Sequence, residues 1–171
     1  MESENTRPTL DRVKESLFNI INPKIVDSVV LDLFAGSGAI GIEFLSRGCR
    51  EAYMCDNSKE AIRFITSNVN KTRLNENAII ANKDYKDFIK ELCKSNKKFD
   101  IIFIDPPYGL DIAVCAVDLI LKYKLLNHDG IIIIETDQKE REIKKLEEMQ
   151  VEIYDTRKYG RVNLIFLVER G

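Results

Sequence analysis

The chain has 171 residues, of which 26 are Lys or Arg and 28 are Asp or Glu, so its formal net charge is −2. This length predicts one domain, and a content of 44% apolar and 32% charged residues excludes disordered and fibrous proteins. No apolar run approaches the roughly 20 residues that cross a bilayer, and the polar start Met1–Asn5 is unlike a signal peptide. We therefore expect a cytoplasmic, monomeric protein that has no membrane partner.

Short aliphatic runs alternate along the chain with longer segments of helical period. Thr9 is expected to cap the first helix. The strands are predicted at Ser28–Leu33, Glu51–Cys55, Ala78–Ala81, Phe99–Ile104, Gly130–Glu135, Val151–Thr156 and Val162–Val168, with helices ending near Arg47 and at Ser58–Leu74, Asp84–Lys94, Asp111–Tyr123 and Asp137–Glu148. This alternation predicts a doubly wound α/β fold with a mostly parallel seven-stranded sheet. The short connection Lys158–Arg161 predicts a hairpin that makes the last strand antiparallel.

The cysteines and the histidine do not indicate a metal site. Cys49, Cys55, Cys93 and Cys115 form no CxxC pair, and His128 is the only histidine. We therefore expect buried, reduced thiols and no metal, with His128 in a turn.

A glycine-rich turn follows the first predicted strand. Gly36, Gly38 and Gly41 match G-x-G-x-x-G between a strand and a helix, in the segment that begins at Asp32. Glycine permits the tight turn and lets a ligand approach the backbone. The pattern also occurs in plain strand–helix turns, so its context decides its meaning.

Two further acidic residues follow predicted strands. Asp56 ends the second strand, where a carboxylate can accept hydrogen bonds from both hydroxyls of a ribose. Capping of the helix near Ser58 is the alternative role, and the two are compatible. Asp84 ends the third strand, where it can either reach an adenine amino group or cap its own helix.

The segment Asp105-Pro106-Pro107-Tyr108 directly follows the apolar strand Phe99–Ile104. Two prolines hold the backbone extended and leave its carbonyls free to accept hydrogen bonds. A carboxylate beside rigid carbonyls is suited to binding an amino group, and the Tyr108 ring offers a stacking face for a base. A simple turn at the end of the strand is the alternative interpretation.

Together these segments resemble the class I S-adenosylmethionine-dependent methyltransferases that modify exocyclic amines. The stretch Thr6–Ile20 is similar to the N-terminal helix of the bacterial RsmD-type enzymes, and Lys158-Tyr159-Gly160 also resembles that family. The resemblance spans Thr6 to Val168. It implies methylation of guanine N2, at nucleotide 966, in small-subunit ribosomal RNA, either naked or in an assembling subunit.

The resemblance also assigns roles to individual residues. S-adenosylmethionine is expected to lie against Asp32, Phe34, Gly36, Gly38, Asp56, Asn57, Asp84 and Tyr85; the catalytic residues are expected to be Asp105, Pro106, Pro107 and Tyr108; and RNA contacts are expected from Arg7, Arg12, Lys158 and Arg161. Residues 1–171 are expected to form a single methyltransferase domain that lacks the basic N-terminal hairpin usual in the family. Weak RNA binding is the expected consequence.

Other functions remain open on the sequence alone. Closely similar tetrapeptides occur in enzymes that methylate adenine N6 or glutamine N5, and only the stretch Thr6–Ile20 favours guanine. A nicotinamide oxidoreductase would share the glycine turn, but the Asp105–Tyr108 segment and the terminal hairpin argue against it. A non-catalytic RNA-binding module is a third alternative.

Overall fold

Strands and helices alternate along the chain in the computed structural model, which describes residues 7–107 and 111–171, with side chains from residue 10 onward. The helices are α1 (Arg7–Ile21), α2 (Ala39–Ser46), α3 (Lys59–Thr72), α4 (Tyr85–Lys94), α5 (Ile112–Lys122) and α6 (Lys139–Leu146). The strands are β1 (Val29–Asp32), β2 (Glu51–Asp56), β3 (Ala78–Asn82), β4 (Phe99–Ile104), β5 (Leu126–Thr136), β6 (Val151–Tyr159) and β7 (Val162–Glu169). Within the two described ranges, no helix combines the length and apolar character needed to cross a membrane.

The strands form one seven-stranded sheet in the order β3-β2-β1-β4-β5-β7-β6. Neighbouring strands from β3 through β5 are parallel, and β7 is antiparallel to both β5 and β6. This arrangement confirms the predicted doubly wound sheet with an antiparallel last strand. The chain order reverses between β1 and β4, and such reversals open a crevice at the carboxyl ends of the strands.

Both faces of the central sheet are covered, as continuous apolar strands predict. On one face, Ile102 and Ile104 of β4 belong to a core cluster that includes residues of α4, α5 and α6. On the other face, Ile101 and Phe103 pack in a second cluster with residues of α1, α2 and α3. The sheet edge between these helical layers is therefore held in place from both sides.

Three predicted boundaries shift by more than two residues in the structure. Helix α1 begins at Arg7, so Thr9 is not its cap; proline at the second position is compatible with the first turn of a helix. Strand β5 begins four residues before Gly130, with a register shift against β4, so the exposed His128 belongs to an irregular strand start. Strand β6 continues to Tyr159, which shortens the hairpin turn.

The cysteine prediction is only half correct. Cys49 and Cys55 are buried, Cys93 is half-buried and Cys115 is exposed on α5, and none of the four forms a disulfide. Cys93 still packs against the edge of the core, whereas Cys115 lies on the exposed side of its helix, which the sequence did not reveal.

Candidate functional site

A cavity of about 700 Å³ opens where the strand order reverses. Its walls are the segments that follow β1, β2, β3 and β4, together with the start of α1. The lining residues used below are Leu10, Asp32, Phe34, Gly36, Asp56, Asn57, Asp84, Tyr85, Asp105, Pro106 and Pro107. The structure thus brings most of the predicted cofactor and catalytic residues to one cavity.

Backbone hydrogen bonds hold the glycine turn against the two strands that neighbour β1, which are β4 and β2. The Leu33 N–H donates to the Phe103 carbonyl at 3.1 Å, and the Ala35 N–H donates to the Cys55 carbonyl at 2.8 Å. Gly36 adopts φ +57, and a Cβ there would have no atom within 4 Å. The backbone at Gly36 is therefore open to close approach by a ligand.

Gly38 has a different place in the turn. Its φ is +84, and a Cβ there would lie 3.2 Å from the Ile65 side chain of α3. Gly38 is buried and lies outside the cavity lining. The structure therefore uses this glycine for the turn and for packing against α3 and does not bring it to the cavity wall.

Asp56 connects the glycine turn to helix α3. One carboxylate oxygen accepts from the Gly36 N–H at 3.0 Å, and the other accepts from the Ser58 N–H at 2.9 Å. The N-cap of α3 is Ser58, whose hydroxyl accepts from the Ala61 N–H. Each carboxylate oxygen keeps further lone pairs for a ligand in the cavity.

An aromatic wall stands beside Asp84. Asp84 is the N-cap of α4 and accepts from the Lys86 N–H at 2.9 Å, so its predicted capping role is confirmed. The next residue, Tyr85, places its ring 5.0 Å from the Phe34 ring, between centroids. Burial raises the pKa of Tyr85, so its hydroxyl stays protonated and can donate.

Asp105, Pro106 and Pro107 follow β4 and line the cavity, while Tyr108 lies outside the described residues. Helix α5 begins after Asp111, which has φ +65. Arg141 and Lys145 of α6 both pair with the Asp111 carboxylate and lower its pKa to about 2. This anchor, which the sequence did not predict, ties the start of α5 to α6.

Asp32 is a buried acid at the cavity. Its side chain is 1% exposed, and its Oδ1 has no hydrogen-bond partner. Desolvation, reinforced by the charge of Asp105, raises the pKa of Asp32 to about 8, although a hydrogen bond from the Phe34 N–H opposes the shift. An unpartnered buried carboxylate oxygen in a cavity wall is an acceptor for a ligand cation or donor.

Glu135 is a further acid that the sequence reasoning missed. It follows Ile134 of β5, which pairs with Ile104 of β4, so Glu135 lies beside Asp105. A side-chain hydrogen bond joins the two carboxyl groups. The available signal was that two central apolar runs end in the same way, with Ile104-Asp105 and Ile134-Glu135.

The structure brings some of the predicted RNA-binding residues close to one another. The Arg12 guanidinium of α1 lies 5.8 Å from the centre of the Tyr159 ring, so α1 meets the β6–β7 hairpin. Lys158 is exposed beside Tyr159, and Arg161 is exposed in the hairpin turn. The Arg7 side chain lies outside the described part of the structure.

Comparisons with known proteins agree with this geometry. The family model described as conserved hypothetical protein 95 matches residues 1–168. The Bacillus subtilis protein YlbH, provisionally named as an rRNA methyltransferase, is 38% identical over 98% of this chain and 90% of its own. Ribosomal RNA small subunit methyltransferase D of Haemophilus influenzae is 35% identical over 81% of this chain and 72% of its own. A solved structure of a conserved hypothetical protein from Streptococcus pyogenes superposes with a TM-score of 0.79 at 26% identity, covering 92% of this chain and 96% of the other.

Proposed function

Because the chain belongs to the RsmD family, matched by the model described as conserved hypothetical protein 95, we propose that it methylates guanine N2 in small-subunit ribosomal RNA. The methyl donor is S-adenosylmethionine. One observation carries the proposal: the hydrogen-bond acceptors of Asp105–Pro107 line the same cavity as Gly36 and Asp56. A donor held over the glycine turn and an amine held at Asp105 would therefore share one cavity.

The residues of the cavity fit S-adenosylmethionine. Gly36 leaves open space above the backbone, Asp56 offers carboxylate lone pairs to a ribose, and Phe34 and Tyr85 offer apolar faces to an adenine. Asn57 and Asp84 add polar groups at that end, and the unpartnered Asp32 oxygen suits a cationic group at the other. When bound, the cofactor supplies an electrophilic methyl group on a positively charged sulfur.

The group of the substrate that receives the methyl is an exocyclic amine. Asp105 and the Pro106 carbonyl would accept hydrogen bonds from its two N–H groups and so orient its nitrogen lone pair toward the cavity. Such positioning can supply about 7–11 kcal/mol of the barrier when the reacting atoms are close and aligned. The guanine must leave its stack to enter, and Tyr108 is our candidate for the ring on which it stacks.

The RNA is proposed to lie across α1 and the β6–β7 hairpin. Arg7, Arg12, Lys158 and Arg161 would then contact phosphates around the target base. The contact between Arg12 and Tyr159 supports this assignment, because it joins the two basic segments into one surface. Leu10 of α1 lines the cavity, so this surface begins at the cavity entrance.

Transfer of a labelled methyl group to unmethylated small-subunit RNA tests the proposal, with the product identified as a nucleoside. We expect N2-methylguanosine from the wild-type chain. Asp105→Ala should abolish transfer and leave the affinity for S-adenosylhomocysteine within a few-fold. The control Asp118→Ala removes an exposed aspartate of α5 and should behave as wild type.

The alternatives give different products. N6-methyladenosine, or methylation of a protein glutamine, would overturn the guanine assignment while keeping the enzyme class. Retention of most activity by Asp105→Ala would show that the acceptor role of Asp105 is wrong. Cofactor binding without any transfer would favour a non-catalytic RNA-binding module.

A further inference from the structure

Three acids meet at the carboxyl ends of the central strands. Asp32 ends β1, Asp105 follows β4 and Glu135 lies near the end of β5, and these three strands are neighbours in the sheet. The residues two positions earlier, Val30, Phe103 and Ile133, all belong to the core cluster on the α1 side. The three carboxyls therefore face the same side of the sheet.

Glu135 has no role in the proposed reaction so far, yet it makes a specific contact. Its carboxyl is hydrogen-bonded to Asp105, and a hydrogen bond between two carboxyls requires a proton on one of them. Glu135 is the half-buried member of the pair, and Asp105 is the member that opens onto the cavity. The proton therefore belongs to Glu135, and the charge belongs to the group that meets the substrate.

We propose that Glu135 is a positioning residue for Asp105: its protonated carboxyl donates to one Asp105 oxygen and leaves the other oxygen to accept from the substrate amine. This inference rests on the proposed function of Asp105. Without the donor, the Asp105 side chain could rotate away from the amine. With it, a single oxygen is presented in a fixed orientation.

The groups around Glu135 favour the protonated form. Desolvation, followed by the charges of Asp105 and Asp32, raises the pKa of Glu135 to about 9. The cross-strand neighbour on β7 is the uncharged Leu164. Among the described side chains of α1, the exposed charged residues are Asp11, Arg12 and Glu15, and the Arg12 guanidinium lies over Tyr159.

The opposite face of β5 offers a matched control. Glu142 of α6 is also buried, at 7% exposure, and burial also raises its pKa. Its carboxylate accepts from the Thr136 hydroxyl at 2.8 Å, and neither it nor Thr136 lines the cavity. Glu142→Gln therefore removes a buried carboxyl of similar character from the other side of the same strand.

The test compares Glu135→Gln, Glu135→Ala and Glu142→Gln by methyl transfer as a function of pH. Gln keeps a donor, so Glu135→Gln should retain kcat within about threefold at pH 7, whereas Glu135→Ala should lose about 10- to 100-fold. The wild type and Glu142→Gln should lose activity as Glu135 ionises near pH 9, and Glu135→Gln should not. Equal losses for Gln and Ala, or coinciding pH profiles for Glu135→Gln and the wild type, would overturn the proposal.

Two measurements do not depend on transfer. Affinity for S-adenosylhomocysteine should stay within about threefold in all variants, because Glu135 does not line the cavity. The urea midpoint of the wild type should fall from pH 5 to pH 9, and Glu135→Gln should weaken this dependence. An unchanged dependence would overturn the proposal, whereas a weakened one in a chain that transfers no methyl group would leave only the proposed function wrong.

Discussion

Asp56 combines two roles that mutation can separate, because its carboxylate supports the glycine turn as well as facing the cavity. Asp56→Asn keeps an acceptor for one backbone N–H and removes the charge offered to a ribose. We expect weaker binding of S-adenosylhomocysteine by about 1.5–3 kcal/mol, measured by calorimetry. Ser58→Ala is the control, because it should cost about 1 kcal/mol of stability through the lost cap and leave affinity unchanged. Equal affinity losses in both variants would contradict the ribose contact.

Individual site residues could be predicted where the residues next to them in the sequence form a distinctive motif. Asp105 could be predicted because two prolines follow it, and Asp56 because a glycine turn precedes it by the right distance. Glu135 could not, since a glutamate at the end of a strand is usually a solvated residue and its partner lies 30 positions away. Its role depends on the register between β4 and β5, which only the folded sheet supplies.

The packing of α2 on β2 depends on the third glycine of the turn. A Cβ at Gly41 would lie 2.6 Å from Met54 Cγ, and Met54 is fully buried. Gly41→Ala should therefore destabilise the protein by about 1–3 kcal/mol, because overpacking exceeds the gain in helix propensity. Urea unfolding checks this, with the exposed Ser46→Ala on the same helix expected to change stability by no more than about 0.5 kcal/mol. A stabilised Gly41→Ala would show that Met54 repacks without cost.

The β6–β7 hairpin gives a prediction for RNA binding. Lys158 is exposed on β6 beside Tyr159, the residue that contacts Arg12 of α1. Lys158→Glu should weaken RNA binding and reduce the salt slope by about 0.7–0.9, because one phosphate contact is lost. Lys94→Glu, on a helix that packs against the other face of the sheet, is the control. Titrations of RNA with each variant at several salt concentrations measure this slope. An equal effect of both variants would mean that RNA affinity depends only on the net charge of the protein.

Element boundaries were predictable where local signals were strong. The apolar run of β4 was predicted with its observed bounds, and the left-handed conformation of Gly48, φ +96, agrees with its predicted place after α2. The start of β5 was missed because Asn127, His128 and Asp129 have the composition of a turn, although pairing with β4 begins at Leu126. Tertiary pairing overrides local preference at such strand ends.

The stability of the whole molecule should depend on pH, because burial raises the pKa values of two of its carboxyl groups. Asp32 and Glu135 have ordinary pKa values of 3.8 and 4.5 and folded values of about 8 and about 9, so both bind protons more tightly in the folded chain. The contribution of these two protons to the free energy of unfolding is complete below about pH 4. It is lost as the pH rises toward the folded pKa values of about 8 and about 9. Asp32→Asn should therefore flatten the fall in urea midpoint between pH 5 and pH 9. The exposed Asp118→Asn should not, and identical profiles for both variants would contradict the raised pKa of Asp32.

The position of β7 determines when this sheet can be completed during synthesis. Strand β7 lies between β5 and β6 although it follows both in the chain, and β6 joins the sheet only through β7. Until residues 162–169 have left the ribosome, four isoleucines, Ile131–Ile134, form an unpaired apolar edge on β5. Such an edge is a template for pairing with other chains. The risk of aggregation is therefore concentrated in the interval between the synthesis of β5 and the arrival of β7, and a nascent chain that stalls in that interval would expose the β5 edge to neighbouring chains.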